Sequence, residues 1–142
     1  MCKLNLGKRH MHNSKVLRRL RQLPVICAWR TGILLASKSL YWDIVVCDVT
    51  STQSKYRDRF TADVKSVLDH LALTSPELLH RAQQYVRYIA RAEIGNRFEY
   101  FSRPRLLLLC VDYQQSNVNA QESIRRDVMD AVTLAHVRSE RG

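Results

Sequence analysis

Acidic side chains are absent from the first 42 residues of this chain, and the first carboxylate is Asp43. The same segment carries nine of the 23 basic residues of the chain: Lys3, Lys8, Arg9, Lys15, Arg18, Arg19, Arg21, Arg30 and Lys38. Beyond it the two signs of charge nearly balance, so most of the net charge of +10 belongs to the first third. This asymmetry indicates a polyanionic partner, an anionic membrane or an organelle-targeting segment.

Glycine and proline are scarce, with four Gly and three Pro in 142 residues. Their scarcity argues against a long disordered tract and favours a single domain that is large enough to bury its own core. Four scattered Gly residues cannot build a phosphate-binding glycine loop, and the G-x-S-x-G nucleophile motif is missing. The sequence therefore lacks the signatures of the commonest nucleotide hydrolases and serine hydrolases.

The four cysteines form no C-x-x-C pair, and their spacing fits no zinc-binding pattern. Cys27, Cys47 and Cys110 lie within apolar runs, where cysteine behaves as a small buried hydrophobe. We therefore predict free thiols, an intracellular reducing compartment such as cytoplasm or nucleus, and neither a metal site nor a cofactor.

No apolar run reaches the roughly 20 residues of a membrane span. The best candidate, residues 25–36, is interrupted by Arg30, which also argues against a secretory signal. Residues 1–23 are acid-free and rich in Arg, as mitochondrial presequences are, so a mitochondrial location stays open.

Pro24 is predicted to divide the chain into a basic N-terminal arm with a short helix, residues 1–23, and one globular domain, residues 24–142. Apolar runs predict a three-stranded mixed sheet, with strands at 25–35, 40–49 and 105–113. Apolar residues at helical spacing predict helices over 58–72, 76–94 and 120–138. The fold class is thus α+β or α/β, with 40–49 and 105–113 as parallel neighbours.

The basic side chains are mostly arginine, at 17 Arg to six Lys, and the planar guanidinium group matches phosphate oxygens and stacks on bases. One set of candidate nucleic-acid contacts lies in the arm: Lys8, Arg9, Lys15, Arg18, Arg19 and Arg21. A second set is Arg97, Arg103 and Arg105, interleaved with Phe98, Tyr100 and Phe101, whose rings we expect to pack against the sheet. The favoured interpretation is a small non-enzymatic protein that binds RNA or another polyanion in a ribonucleoprotein or nucleocapsid-like assembly.

Two other interpretations remain open at this stage. Asp48 and Asp112 each follow an apolar run, and carboxylates at neighbouring strand ends could bind Mg²⁺ in a metal-assisted phosphoesterase or nuclease. Alternatively, the basic arm could attach a peripheral accessory or matrix-like interaction protein to anionic lipid.

Overall fold

The structure is a computed structural model that describes residues 38–49, 54–113 and 119–142. All of these residues belong to one compact unit, which spans residues 36–142. The predicted arm and its six basic candidates, the boundary at Pro24 and the predicted strand at 25–35 lie outside the described residues.

The described part of the chain is a small α+β domain with a mixed five-stranded sheet. Its strands are β1 Lys38–Tyr41, β2 Ile44–Asp48, β3 Tyr88–Arg91, β4 Phe98–Phe101 and β5 Leu106–Leu109, in the order β1-β2-β3-β5-β4. The central strands β2, β3 and β5 are parallel, while β1 and β4 pair antiparallel at the two edges. The described helices are α1 Ser54–Thr74, α2 Pro76–Tyr85 and α3 Ala120–Arg141.

The prediction of one strand over 40–49 is wrong, because a two-residue turn at Trp42 and Asp43 divides it into β1 and β2. Both turn residues are left-handed, with φ of 52° and 62°. Such hairpin turns usually carry Asn-Gly or Asp-Gly, so Trp-Asp gave no turn signal. A non-glycine residue in this region costs on the order of 1 kcal/mol or more, which the surrounding contacts must offset.

The helix predicted over 76–94 is also wrong in its second half. α2 ends at Tyr85, Val86 is extended at φ −119° and ψ 118°, and the chain continues into β3. The apolar residues Val86, Ile89 and Ala90 fit a helical stripe, but Ile89 and Ala90 are buried on opposite faces of a central strand. Tertiary pairing on both sides of β3 overrides the local periodicity.

The predicted three-stranded sheet is therefore too small, and its central pairing is wrong. β2 and β5 are parallel to each other, but β3 lies between them and pairs with both. β4 was not predicted at all, since its sequence FEYF was interpreted as an aromatic segment before the buried strand. In the observed register Asp48 pairs with Arg91, and Arg91 pairs with Leu109.

The hydrophobic core lies between the helices and one face of the sheet. Ile44 and Val46 of β2, Ile89 of β3 and Leu107 and Leu109 of β5 form one cluster with apolar residues of all three described helices. The remaining β5 residues, on the other face, are buried as well, so this strand is buried on both faces.

The helices predicted over 58–72 and 120–138 are confirmed, with wider bounds than the periodicity indicated. α1 extends the predicted 58–72 to Ser54–Thr74, and α3 extends 120–138 to Ala120–Arg141. The Asn119 side chain caps α3 by accepting a hydrogen bond of 3.2 Å from the backbone N–H of Glu122. Within the described ranges, no helix is long and apolar enough to span a lipid bilayer.

Candidate functional site

The amino ends of the three parallel strands lie along one side of the sheet, which we call the amino edge. It comprises the Trp42–Asp43 turn before β2, residues 86–87 before β3 and the loop 102–105 before β5. The last turn of α3 reaches the same edge, because the Tyr85 hydroxyl at the end of α2 lies 3.1 Å from Ser139 Oγ.

Exposed arginines concentrate at the amino edge. Arg87, Arg103 and Arg105 come from the strand-leading loops and Arg138 from the end of α3, and all four are exposed. None of the four forms an ion pair with any residue that the structure describes. We call these four residues the edge arginines.

Hydrogen bonds hold Arg87 and Arg105 next to each other. The Arg87 N–H donates to the Arg105 carbonyl at 2.8 Å, and the Arg105 side chain, through Nη1, donates to the Gln84 carbonyl at 3.1 Å. Burial raises the pKa of Tyr100, and the positive charges of Arg105 and Arg138 oppose that rise.

The loop that presents Arg103 and Arg105 has an unusual backbone. The Arg103–Pro104 peptide bond is cis, and Arg105 is left-handed at φ 66°. A left-handed position favours Gly or Asn, so an arginine there has a conformational cost of about 1 kcal/mol. The carbonyl of Arg105 accepts from the N–H groups of both Arg87 and Tyr88, and these hydrogen bonds hold the strained residue in place.

Three carboxylates lie along the amino edge, and one of them, Asp69 beside Trp42, is paired with Lys65 at 2.8 Å. Glu140, one residue before the end of α3, contacts His136 Nε2 at 3.2 Å, and Asp43 is exposed in the β1–β2 turn. They offset only part of the positive charge, since Arg141 adds a further exposed guanidinium at the end of α3. The amino edge therefore carries an excess of positive charge within the described residues.

Arg97, the remaining member of the predicted second set, lies at the opposite edge. β4 runs antiparallel to β5, so Arg97 precedes β4 at the carboxyl ends of the parallel strands, whereas Arg103 follows β4. Arg97 Nη1 lies 3.1 Å from Asp127 Oδ1, and its Nη2 lies 3.0 Å from Asp130 Oδ2. Its guanidinium is thus already occupied by two carboxylates of α3.

The aromatic residues of β4 divide between the two faces of the sheet. Phe98 and Tyr100 pack against the core, as expected, and the Tyr100 hydroxyl donates to the Tyr85 carbonyl at 2.7 Å. Phe101 is half-buried and pairs with Leu106, on the face away from the three helices.

The carboxyl ends of the parallel strands carry a buried ion pair. Asp48, whose side chain is 0% exposed, lies with its Oδ2 3.0 Å from Arg91 Nη1. Arg91 Nε donates to the Val111 carbonyl at 2.9 Å, and the guanidinium lies 5.0 Å from the centre of the Tyr113 ring. This network connects the ends of β2 and β3 to the segment after β5.

Tyr113 lies at the centre of the contacts around that ion pair. The Arg59 guanidinium carbon lies 4.5 Å from the centre of the Tyr113 ring, and the Tyr56 ring stacks on it with the two ring centres 6.3 Å apart. The Tyr113 hydroxyl donates to Asp63 Oδ2 at 2.8 Å. Burial and the Asp63 carboxylate raise the pKa of Tyr113 far above its ordinary value. Tyr113 therefore joins α1 to the ion pair of Asp48 and Arg91.

Asp48 and Asp112 are not on neighbouring strands. β3 separates β2 from β5, and two strand spacings correspond to about 10 Å. Asp112 is exposed beyond the end of β5, while Asp48 is buried against Arg91. Within residues 38–49, 54–113 and 119–142, no three His, Cys, Asp or Glu side chains are grouped so as to hold a metal ion.

Sequence reasoning missed Arg87 and Arg138 as site residues. The helix predicted over 76–94 placed Arg87 inside a helix. The available signal was its neighbours Val86 and Tyr88, which are both favoured in strands. Arg138 joins the edge only through the packing of α3 on the end of α2.

Comparison of the chain with protein-family models, with curated proteins and with solved structures finds no match in any of the three.

Proposed function

We propose that this protein binds RNA or another polyanion as a non-enzymatic component of a ribonucleoprotein or nucleocapsid-like assembly. The observation that carries the proposal is the edge arginines Arg87, Arg103, Arg105 and Arg138, which are exposed and without an ion pair among the described residues. Other arginines of the domain, such as Arg91 and Arg97, are instead neutralised by carboxylates.

Positive charges that lie close together repel one another, and a bound polyanion relieves that repulsion. Two unit charges about 6 Å apart repel by roughly 0.7 kcal/mol in water, so a group of unpaired guanidinium groups is unfavourable in isolation. A phosphate backbone relieves the repulsion, releases its own counterions and accepts paired hydrogen bonds from each guanidinium. The acid-free N-terminal segment supplies further cations of the same kind.

The compartment belongs to the same proposal. We expect an intracellular, reducing location, with a mitochondrial one if residues 1–23 act as a presequence. Cys47 and Cys110 are free in the described part of the chain, which supports a compartment where thiols stay reduced.

Binding of a labelled single-stranded RNA of about ten nucleotides, followed by fluorescence anisotropy over a salt series, tests the proposal. The edge variant is Arg87→Gln, Arg103→Gln and Arg105→Gln together, in the full chain. Each lost phosphate contact should reduce the slope of log K against log salt by about 0.7, so the triple variant should lose about 2.

The matched control removes three charges away from the amino edge: Arg59→Gln, Arg125→Gln and Arg126→Gln. Arg59 of α1 lies over the Tyr113 ring at the opposite edge, and Arg125 and Arg126 of α3 are paired with Glu122 and Asp127. The control should retain the wild-type slope. Equal slopes for the edge and control variants, or no binding of wild type at low salt, would overturn the proposal.

The arm is tested separately by replacing its six predicted contacts with Gln: Lys8, Arg9, Lys15, Arg18, Arg19 and Arg21. If the arm contacts phosphate, this variant loses affinity in addition to the loss caused by the edge variant. An unchanged salt slope would restrict the binding site to the globular domain.

A further inference from the structure

Trp42 is a large aromatic residue at a position that does not bury it. It occupies the left-handed first position of the β1–β2 turn, at φ 52°, where Asn or Gly is the usual residue. It is 45% exposed, whereas the large apolar residues of the core are almost completely buried. Neither turn geometry nor core packing explains a tryptophan here.

The position of the indole ring is held by polar contacts along its edge. Trp42 Nε1 donates to Asp69 Oδ1 at 2.9 Å, and Lys65 Nζ contacts the other oxygen of Asp69 at 2.8 Å. These two donors lower the pKa of Asp69, so the carboxylate remains an acceptor. The Trp42 carbonyl accepts from Gln83 Nε2 at 3.0 Å. The ring is thus fixed through its N–H while much of its surface faces solvent.

Trp42 lies on the same edge of the sheet as the edge arginines. Gln83, which contacts Trp42, and Gln84, which contacts Arg105, are consecutive residues at the end of α2. In β2, which follows the turn, the Val45 N–H donates to the Arg87 carbonyl at 2.9 Å. From the β1–β2 turn to the β4–β5 loop the edge crosses three strand spacings, about 15 Å.

We propose that Trp42 is a base-stacking platform and that the partner of the amino edge is a single-stranded nucleic acid. This inference rests on the proposed function, since the edge arginines supply the phosphate contacts. Unpaired bases stack on exposed aromatic rings, and those of a duplex are already stacked on one another. At about 3.4 Å per stacked nucleotide, the edge accommodates about four nucleotides.

Tryptophan fluorescence provides a direct readout. The chain has two tryptophans, and Trp29→Phe leaves Trp42 as the single reporter. In this background a ten-nucleotide oligouridylate, within the usual range of single-strand site sizes, should quench the fluorescence of Trp42 at saturation. Inorganic polyphosphate, which has charge but no bases, should bind without quenching, and a duplex of equal length should not quench either.

Two variants separate the ring from the turn. Trp42→Asn suits the left-handed turn and removes the ring, and Trp42→Phe keeps an aromatic surface. Trp42→Asn should weaken oligouridylate binding roughly 5- to 150-fold, the range for loss of one stacked base, and leave polyphosphate affinity unchanged. Trp42→Phe should retain most of the affinity.

The possible results are distinguishable. If polyphosphate and oligouridylate both bind through the edge arginines, but saturating oligouridylate leaves Trp42 fluorescence unquenched, the stacking inference fails and the proposed function stands. The quenching result does not depend on whether Trp42→Asn folds. If neither probe binds at low salt, the proposed function fails, and the stacking inference fails with it.

Discussion

Removal of the Arg91 guanidinium is expected to destabilise the domain, because it breaks an ion pair whose two side chains are largely buried. Arg91→Met keeps a long apolar side chain and deletes the group that contacts Asp48, Val111 and Tyr113. The Asp48 side chain is 0% exposed and that of Arg91 14%, so the pair is largely shielded from water.

The magnitude follows from breaking a buried ion pair on one side. Loss of one partner of such a pair typically costs about 3–5 kcal/mol, because the remaining charge stays buried. The same substitution also removes the hydrogen bond of Arg91 to the Val111 carbonyl and its contact with the Tyr113 ring. Since a domain of this size is stable by roughly 5–15 kcal/mol, the variant should lose a large fraction of its stability.

Urea denaturation followed by circular dichroism measures the effect. With a slope of about 1–3 kcal/mol per molar urea, a loss of about 4 kcal/mol lowers the midpoint by more than 1 M. Asp48→Asn with Arg91→Met should be less destabilised than Arg91→Met alone, because the buried charge is gone. A loss below about 1 kcal/mol for Arg91→Met, or simple additivity in this cycle, would refute the reasoning.

Three further predictions concern single side chains. Burial raises the pKa of the Cys47 thiol to about 11, so we expect an alkylating reagent to modify exposed Cys110 and to spare Cys47 in the folded protein. Peptide mass spectrometry measures the modification of each cysteine, and equal modification of the two would contradict this prediction. Burial also raises the pKa of Asp127, so the charged carboxylate destabilises the fold above that pKa, and the penalty disappears as pH falls through it. Asp127→Asn should therefore be stabilised relative to wild type at pH 7 and lose that advantage on acidification to about pH 4, as measured by urea midpoints; a gain that persisted in acid would point to another cause. Asn119→Ala removes the side-chain cap of α3 and should lower the free energy of unfolding by about 1 kcal/mol. Asn119→Ser keeps a capping side chain and should retain most of the wild-type stability. An unchanged urea midpoint for the alanine variant would show that the cap contributes nothing.

Local signals predicted those elements whose pattern is complete within the element itself. α1, α3 and the first half of the helix predicted over 76–94 followed from apolar residues at helical spacing. β5 followed from its unbroken apolar run and is buried on both faces. The β1–β2 turn carries none of the usual turn residues, and β3 shares its apolar spacing with a helix, so both escaped prediction.

The candidate site was predictable only in part, for the same reason. Arg103 and Arg105 were named from the sequence, and the structure places both at the amino edge, exposed. Arg97 belonged to the same run of sequence but lies at the other end of β4, held by Asp127 and Asp130. One four-residue strand moves the two parts of that run to opposite edges of the sheet.

The sequence by itself determined the charge asymmetry, the arginine bias and the helices α1 and α3, because composition and the spacing of residues depend only on their order along the chain. Tertiary structure alone decided the order of the strands. Inserting β3 between β2 and β5 pairs Asp48 with Arg91 and separates it from Asp112. It also places Arg87 beside Arg105, at the edge where Trp42 is exposed. These contacts join residues distant in sequence, and their energy comes from burial and pairing that form only when the chain is folded.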